Sequence, residues 1–258
     1  MTPDAIDAAA RQLVDARRTG KPGPRLPGAC RPAGIDDALT IQRRVAELLG
    51  EPIGGWKCSL PNPQQLTVAP VFAANLYRTS PCAMPVSAGN AAIEPEVAFV
   101  LGRDLPSRSS PYSESEVRAA IAETRLVLEL LACRYADPAS ASIPELVADS
   151  LKDYGIYIGP MLADAFNREL AAFPVTVAGP DGTILTREGR HNDGHPLKPL
   201  VWLANWLAGN PLGWTRGLRA GDIVTTGSYA GALEVPAGIP LRVVFGDLGT
   251  ITAEFVAL

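Results

Sequence analysis

Ile93-Glu94-Pro95-Glu96-Val97-Ala98-Phe99-Val100-Leu101 is the stretch on which the reading of this 258-residue chain turns. Apolar side chains dominate residues 92–101, and the charged turn Gly102-Arg103-Asp104 ends the run, as expected of a strand. Glu94 and Glu96 are two apart, so a strand projects both carboxylates from one face. Two like charges in an otherwise apolar strand repel each other and resist desolvation, which asks for something positive between them. Pro95 removes one N–H from the ladder and suits an edge strand or a bulge.

Glu129 poses the same problem elsewhere, inside the apolar run Leu126-Val127-Leu128-Glu129-Leu130-Leu131-Ala132. An ionised carboxylate in such a run needs a partner. On spacing alone two readings stand. Glu94 and Glu96 could face solvent, with Glu129 paired to a cation such as Arg134. Alternatively, the three carboxylates offer hard oxygen donors to one divalent cation, which suits Mg²⁺ or Mn²⁺ better than zinc. His191 and His195 are four apart, but Asn192-Asp193-Gly194 between them forms turns. They are not read as a metal pair, and His195 before Pro196 shapes the entry to a helix.

Residues 4–18 and 36–49 carry amphipathic helical patterns, separated by the Pro/Gly-rich segment 20–34. Arg17-Arg18 and Arg43-Arg44 read as solvated helix faces. A β-like stretch over 53–60 holds Lys57 and leads into a Pro/Asn-rich loop. Ser113 and Glu116 form a capping box for a helix expected to yield to a strand near Leu126–Cys133. Further strands are expected at 155–159, 173–178, 183–187, 222–226, 241–245 and 250–256, with one helix at 196–208. Lys152-Asp153, before Tyr154-Gly155, reads first as a surface turn, with lining of a site as the alternative. Strands dominate the second half without regular alternation with helices, so the fold class is α+β. Residues 1–85 read as a helical lead-in packed on a core of residues 86–258, the two forming one structural unit.

A hydrophobic share of 47% and a charged share of 19% describe a compact chain rather than a disordered one. The net charge of −4 and the lack of a dense Lys/Arg block argue against nucleic acid as a partner. No apolar run reaches the ~18 residues of a membrane span, and the N-terminus lacks the layout of a signal peptide. Cys30, Cys58, Cys82 and Cys133 form no Cys-x-x-Cys pair and read as free thiols, so a cytoplasmic location is expected.

The stretch from Ile93 through Leu101 to Gly102-Arg103-Asp104-Leu105 resembles the metal-binding strand of the fumarylacetoacetate hydrolase superfamily. It is most similar to the branch of 2-oxo-pent-4-enoate hydratases and oxalocrotonate decarboxylases. The resemblance continues through Asp37-Ala38 with Ile41-Gln42, Ile53-Gly54-Gly55-Trp56-Lys57, Leu128-Glu129-Leu130, Gly194-His195-Pro196-Leu197 before Val201-Trp202-Leu203-Ala204, and Gly221-Asp222-Ile223 with Thr226-Gly227-Ser228. It implies a rolled, mixed β-sheet core preceded by helices, with Glu94, Glu96 and Glu129 as ligands of Mg²⁺ or Mn²⁺. Lys57 matches an active-site lysine that would act in chemistry rather than in metal capture, and Thr226-Gly227-Ser228 would meet the substrate. The implied substrate is a small 2-oxo or 2-hydroxy-dienoic acid, and the implied assembly a homo-oligomer.

Two departures bear on the activity. Hydratases of this branch commonly carry Asp after the position of Pro70, where this chain has Val71-Phe72. After Asp149 they often show Asn, a small residue and Ser, where this chain has Ser150-Leu151-Lys152-Asp153 with one residue extra. The expected activity is metal-dependent hydration of a 2-hydroxy-2,4-dienoate to a 4-hydroxy-2-oxo acid. A decarboxylase, a C–C-bond hydrolase and a non-catalytic oxo-acid-binding accessory subunit are the alternatives.

Overall fold

The computed structural model describes residues 1–62, 66–209, 211–214 and 216–258, so part of the Pro/Asn-rich loop after Leu60 lies outside the described residues. Helices α1 (Pro3–Thr19) and α2 (Ile35–Leu49) form where their apolar faces require. Strands β1 (Ile53–Cys58), β2 (Val68–Phe72), β3 (Leu76–Tyr77), β4 (Cys82–Met84) and β5 (Asn90–Leu101) follow. The Ser113–Glu116 capping box opens α3 (Glu114–Ala120), which passes directly into β6 (Ile121–Leu131). That strand begins earlier than the expected start near Leu126. Its first residues pair with β5, Ile121 facing Leu101 and Thr124 facing Phe99, and this long-range pairing overrides the local helical pattern.

The second half comprises α4 (Ile143–Ala148), β7 (Asp153–Met161), β8 (Ala172–Gly179), β9 (Gly182–Arg190), α5 (Leu197–Ala208), β10 (Ile223–Ser228), β11 (Leu233–Pro236), β12 (Pro240–Phe245) and β13 (Gly249–Ala257). His195 takes up its expected place at the entry to α5, its Nδ1 accepting from Leu197 N at 3.2 Å. One mixed sheet runs β2-β1-β10-β5-β6-β7-β3, with β11 also on β5, and a second runs β4-β13-β12-β8-β9. Strands from the first 85 residues enter both sheets.

The larger sheet is rolled. Val71 of β2 joins Ile156 and Ile158 of β7 in one apolar cluster, although β1, β10, β5 and β6 lie between these strands in the sheet. Outside the roll, Trp56, Phe99 and Val224 pack against Leu13, Leu39, Leu200 and Leu203 of the helices, and Trp214 meets Trp56 edge-on at 5.2 Å. Ile93, Leu128 and Leu130 also face outward, against Val243, Phe245 and Phe255 of the second sheet. A sheet covered on both faces explains why β5 and β6 read as almost unbroken apolar runs.

Pro95 lies in a central strand, not at an edge. β11 pairs with β5 over Asn90–Ile93 and β10 over Glu96–Val100, so Pro95 falls where one neighbour hands over to the other. The N–H it lacks is missing from a gap in the ladder. Arg17 also departs from the expected solvated face, because its Nε and Nη2 are buried without a hydrogen-bond partner among the described residues.

Candidate metal centre

Residues opposite each other in a sheet share a face. Glu94 of β5 lies opposite Glu129 of β6, and Glu96 is two positions along the same face. Lys57 of β1 adjoins Thr225 of β10, which lies opposite Ala98 of β5. All five polar side chains therefore point into the roll. Beneath them Val71, Ala98, Val127, Ile156, Ile158 and Ile223 fill the interior with an apolar floor.

One oxygen from each of Glu94, Glu96 and Glu129 lies within 4.8 Å of the others. Glu96 and Glu129 are only 2% and 1% exposed, and Glu94 is half-buried. The solvent-face alternative fails, and so does pairing with Arg134, which bonds to Asp149 instead. Lys57 is 7% exposed, and its Nζ donates to Glu129 Oε1 in a close contact and approaches Leu151 O at 3.5 Å. Thr225 Oγ1 donates to Glu96 Oε2, which also accepts from Gly227 N at 3.0 Å. A bulge between Thr225 and Ser228 aims that N–H inward, and Gly227 sits at φ +120°, where a side chain would be strained.

One ammonium against three carboxylates leaves the cluster short of positive charge. Burial, then Glu129 and Glu94, push the Glu96 carboxyl well above the usual carboxylate range. Burial likewise raises Glu129 to about 8, with Asp153 and Glu94 adding to it and Lys57 opposing it. Burial works against the Lys57 charge, yet Glu129, Glu94 and Asp153 outweigh it and raise its pKa. A buried, oxygen-only, electron-rich cluster suits a hard divalent cation.

The linkage has a definite sign. A folded carboxyl titrating above its unfolded value keeps its proton longer, so stability falls as pH rises from about 4.5 towards about 8 for Glu129. A divalent cation displaces those protons. The increase in melting temperature produced by a fixed Mg²⁺ concentration is therefore expected to grow between pH 5 and pH 8. An increment independent of pH would mean that these carboxyls do not hold the ion.

The carboxylates and Lys57 line a cavity of about 790 Å³, together with Leu151, Lys152, Asp193, Gly227 and Ser228 among others. Of the expected substrate-side turn, Gly227 and Ser228 face it. Thr226 does not: it is fully buried with its hydroxyl on Val97 O at 3.3 Å, and strand alternation gives the inward hydroxyl to Thr225.

Two neighbours correct the sequence reading. Lys152 faces the cavity, and Asp153 is a buried carboxyl, its Oδ1 without a partner among the described residues, rather than part of a surface turn. Ser150, Leu151 and Lys152 all adopt positive φ, 56°, 55° and 67°, at a cost of roughly 1–2 kcal/mol each. This strained turn carries the Leu151 carbonyl towards Lys57. Asp193 is not legible as a site residue, because Asn192-Asp193-Gly194 reads only as a turn. It lines the cavity, its Oδ2 accepts from Leu60 N at 3.0 Å, and its own N–H bonds His191 Nδ1 at 3.1 Å.

The profile of a family described as fumarylacetoacetate (FAA) hydrolase C-terminal matches residues 58–256. A 2-keto-4-pentenoate hydratase of Paraburkholderia xenovorans is 29% identical over 99% of this chain and 96% of its own length. A 4-oxalocrotonate decarboxylase of a Pseudomonas species is 25% identical over 62% of this chain and 59% of its own length. The solved 4-oxalocrotonate decarboxylase of Pseudomonas putida G7, complexed with magnesium and adipate, superposes with a TM-score of 0.77 at 20% identity. The superposition covers 99% of both chains and bears on the fold.

Proposed function

The chain belongs to the fumarylacetoacetate hydrolase family, and from that premise we propose that it is a divalent-metal-dependent hydratase. It would convert a small 2-hydroxy-2,4-dienoate into a 4-hydroxy-2-oxo acid. The reading rests on the convergence of Glu94, Glu96, Glu129 and Lys57 in one cavity, in a chain that aligns end to end with a 2-keto-4-pentenoate hydratase.

Glu94, Glu96 and Glu129 would hold Mg²⁺ or Mn²⁺. When bound, the ion supplies a Lewis-acid charge that polarises the substrate's 2-oxo group. Thr225 and Gly227 fix the Glu96 carboxylate from behind, while Gly227 and Ser228 form the substrate-side wall, with Thr226 supporting the turn. Lys57 assists ketonisation: the 2-hydroxyl proton leaves and a proton is delivered to the terminal carbon. The remaining double bond is then conjugated to the carbonyl, and water adds across it, its oxygen to the far carbon and a proton to the carbon beside the carbonyl.

That water needs a base. Val71 stands in the apolar floor, away from the cavity lining. Asp193 is the carboxylate in the lining besides the cluster of three, and it is the group we assign to accept the water's proton. The same reading includes a homo-oligomer, testable by sedimentation, and a cytoplasmic location, supported by four free cysteines. Among the described residues no helix is long and apolar enough to cross a membrane.

Product analysis with 2-hydroxypenta-2,4-dienoate and Mg²⁺ in ¹⁸O-labelled water tests the reaction. The expected product is the 4-hydroxy-2-oxo acid carrying one labelled oxygen from hydration. CO₂ from a dienoic diacid would make the protein a decarboxylase, and cleavage of an acylpyruvate a hydrolase. Tight oxalate binding without turnover would make it an accessory subunit. Asp193→Asn is expected to slow water addition by about 10² while solvent deuterium still enters the substrate carbon. Parental hydration by this variant would remove Asp193 from the reaction.

A further inference from the structure

A second cavity, of about 560 Å³, lies beside the one that holds the three glutamates. Leu131, Lys152 and Ala232 belong to the walls of both, so the two adjoin there. Of the two, only the second is lined by Val86, Ala92, Ala132 and Cys133. Sheet register explains the arrangement. Glu94 lies opposite Glu129, and one step further along the same face Ala92 lies opposite Leu131. β11 continues this outer row on the other side of β5, with Glu234 opposite Ala92. All three residues of the row line the second cavity. Two residues along a strand advance about 6.6 Å. The outer row is therefore one such step from the carboxylates, about the reach of a five-carbon acid held by its first two carbons.

The opposite direction is closed. Below the cluster, Val71, Ala98, Val127, Ile156, Ile158 and Ile223 fill the roll. Along β5 one face runs from Ala98 in this floor, through Glu96 and Glu94, to Ala92 and Asn90 at the second cavity. A substrate anchored at the glutamates therefore points its far end towards Ala92 and Leu131. The surroundings there are mainly aliphatic, and several polar groups are already engaged. Tyr135 gives its hydroxyl to Glu145 O at 3.1 Å, and the backbones of Ser87 and Asn90 bond each other at 2.9 Å. Lys152 and Glu234 supply one charge of each sign, which leaves no net attraction for a second carboxylate.

We infer that the substrate carries an apolar substituent, alkyl or aryl, at its far end, and that the second cavity receives it. Leu131 and Ala232 form the passage between the two cavities, and Ala92 lies just beyond it. The inference rests on the reading of the glutamate cluster as a 2-oxo-acid site, and it adds what lies beyond the fifth carbon.

Saturated 2-oxo acids have no double bond to hydrate, so their binding separates this inference from the reaction itself. The full chain, saturated with Mg²⁺, is titrated calorimetrically with 2-oxopentanoate, 2-oxohexanoate, 2-oxoheptanoate and 2-oxooctanoate. Affinity is expected to rise about fourfold with each added methylene, the worth of one buried CH₂. The gain should vanish in Ala92→Leu, whose longer side chain occupies the start of the second cavity. Val86→Phe fills the same cavity from the segment between β4 and β5, and it decides the matter if Ala92→Leu does not fold. 2-Oxoheptanedioate, which ends in a second carboxylate, should bind more weakly than 2-oxoheptanoate. Equal affinity along the series, a gain that survives both substitutions, or a preference for the dioate would overturn the inference. Affinity that rises with length in a protein that hydrates no dienoate would sink the hydratase reading and support the role of this cavity.

Discussion

Replacing Glu129 with Gln is expected to remove the Mg²⁺-dependent rise in melting temperature and to lower turnover by about 10³ or more. The amide matches the carboxylate in shape, so β6 keeps its packing between β5 and β7. What is lost is one anionic oxygen among three that lie within 4.8 Å of one another. The metal-free variant should be no less stable than the parent, because a neutral side chain replaces a carboxylate that burial already disfavours. Lys57 still faces Glu94 and Asp153. Paired melting curves with and without Mg²⁺, together with kcat/KM, read both effects. Parental values of both would exclude Glu129 from the site.

Lys57→Ala is expected to act in the opposite direction on the metal while also harming the reaction. Turnover should fall by about 10², the scale of a lost proton-transfer group. Affinity for Mg²⁺ should rise, because the ammonium in contact with Glu129 Oε1 competes with the ion for that oxygen. Without metal, the Glu129 carboxyl loses the ammonium that favours its charged form and keeps its proton to higher pH. The Mg²⁺ increment in melting temperature should therefore exceed the parent's. Near-parental turnover would leave Lys57 as a structural counter-ion only.

The parts of this protein legible in its sequence are those whose physics is local. The alternation that puts Glu94 and Glu96 on one face needs only a strand, and α1, α2 and the Ser113 capping box need only helical spacing. Short elements were not legible. β2 carries Pro70 and spans Val68–Phe72, β11 spans Leu233–Pro236, and both exist because a partner strand holds them. The environments of Arg17, Asp153 and Asp193 depend on what the rolled sheet brings beside them, and nothing adjacent in sequence reports it. The same holds for Thr225 and Thr226, whose roles are separated by a one-residue alternation that the bulge at Gly227 then interrupts.

The pairing of Glu94 with Glu129 across β5 and β6 makes the proposed metal centre a check on how the chain has been threaded. Sliding β6 by one residue would turn Glu129 into the outer core and swing Leu128 or Leu130 inward. A molecule so misaligned could look fully folded by its content of helix and strand and yet present one carboxylate too few. Ion capture by this proposed site would thus count only those copies whose two strands are matched residue for residue.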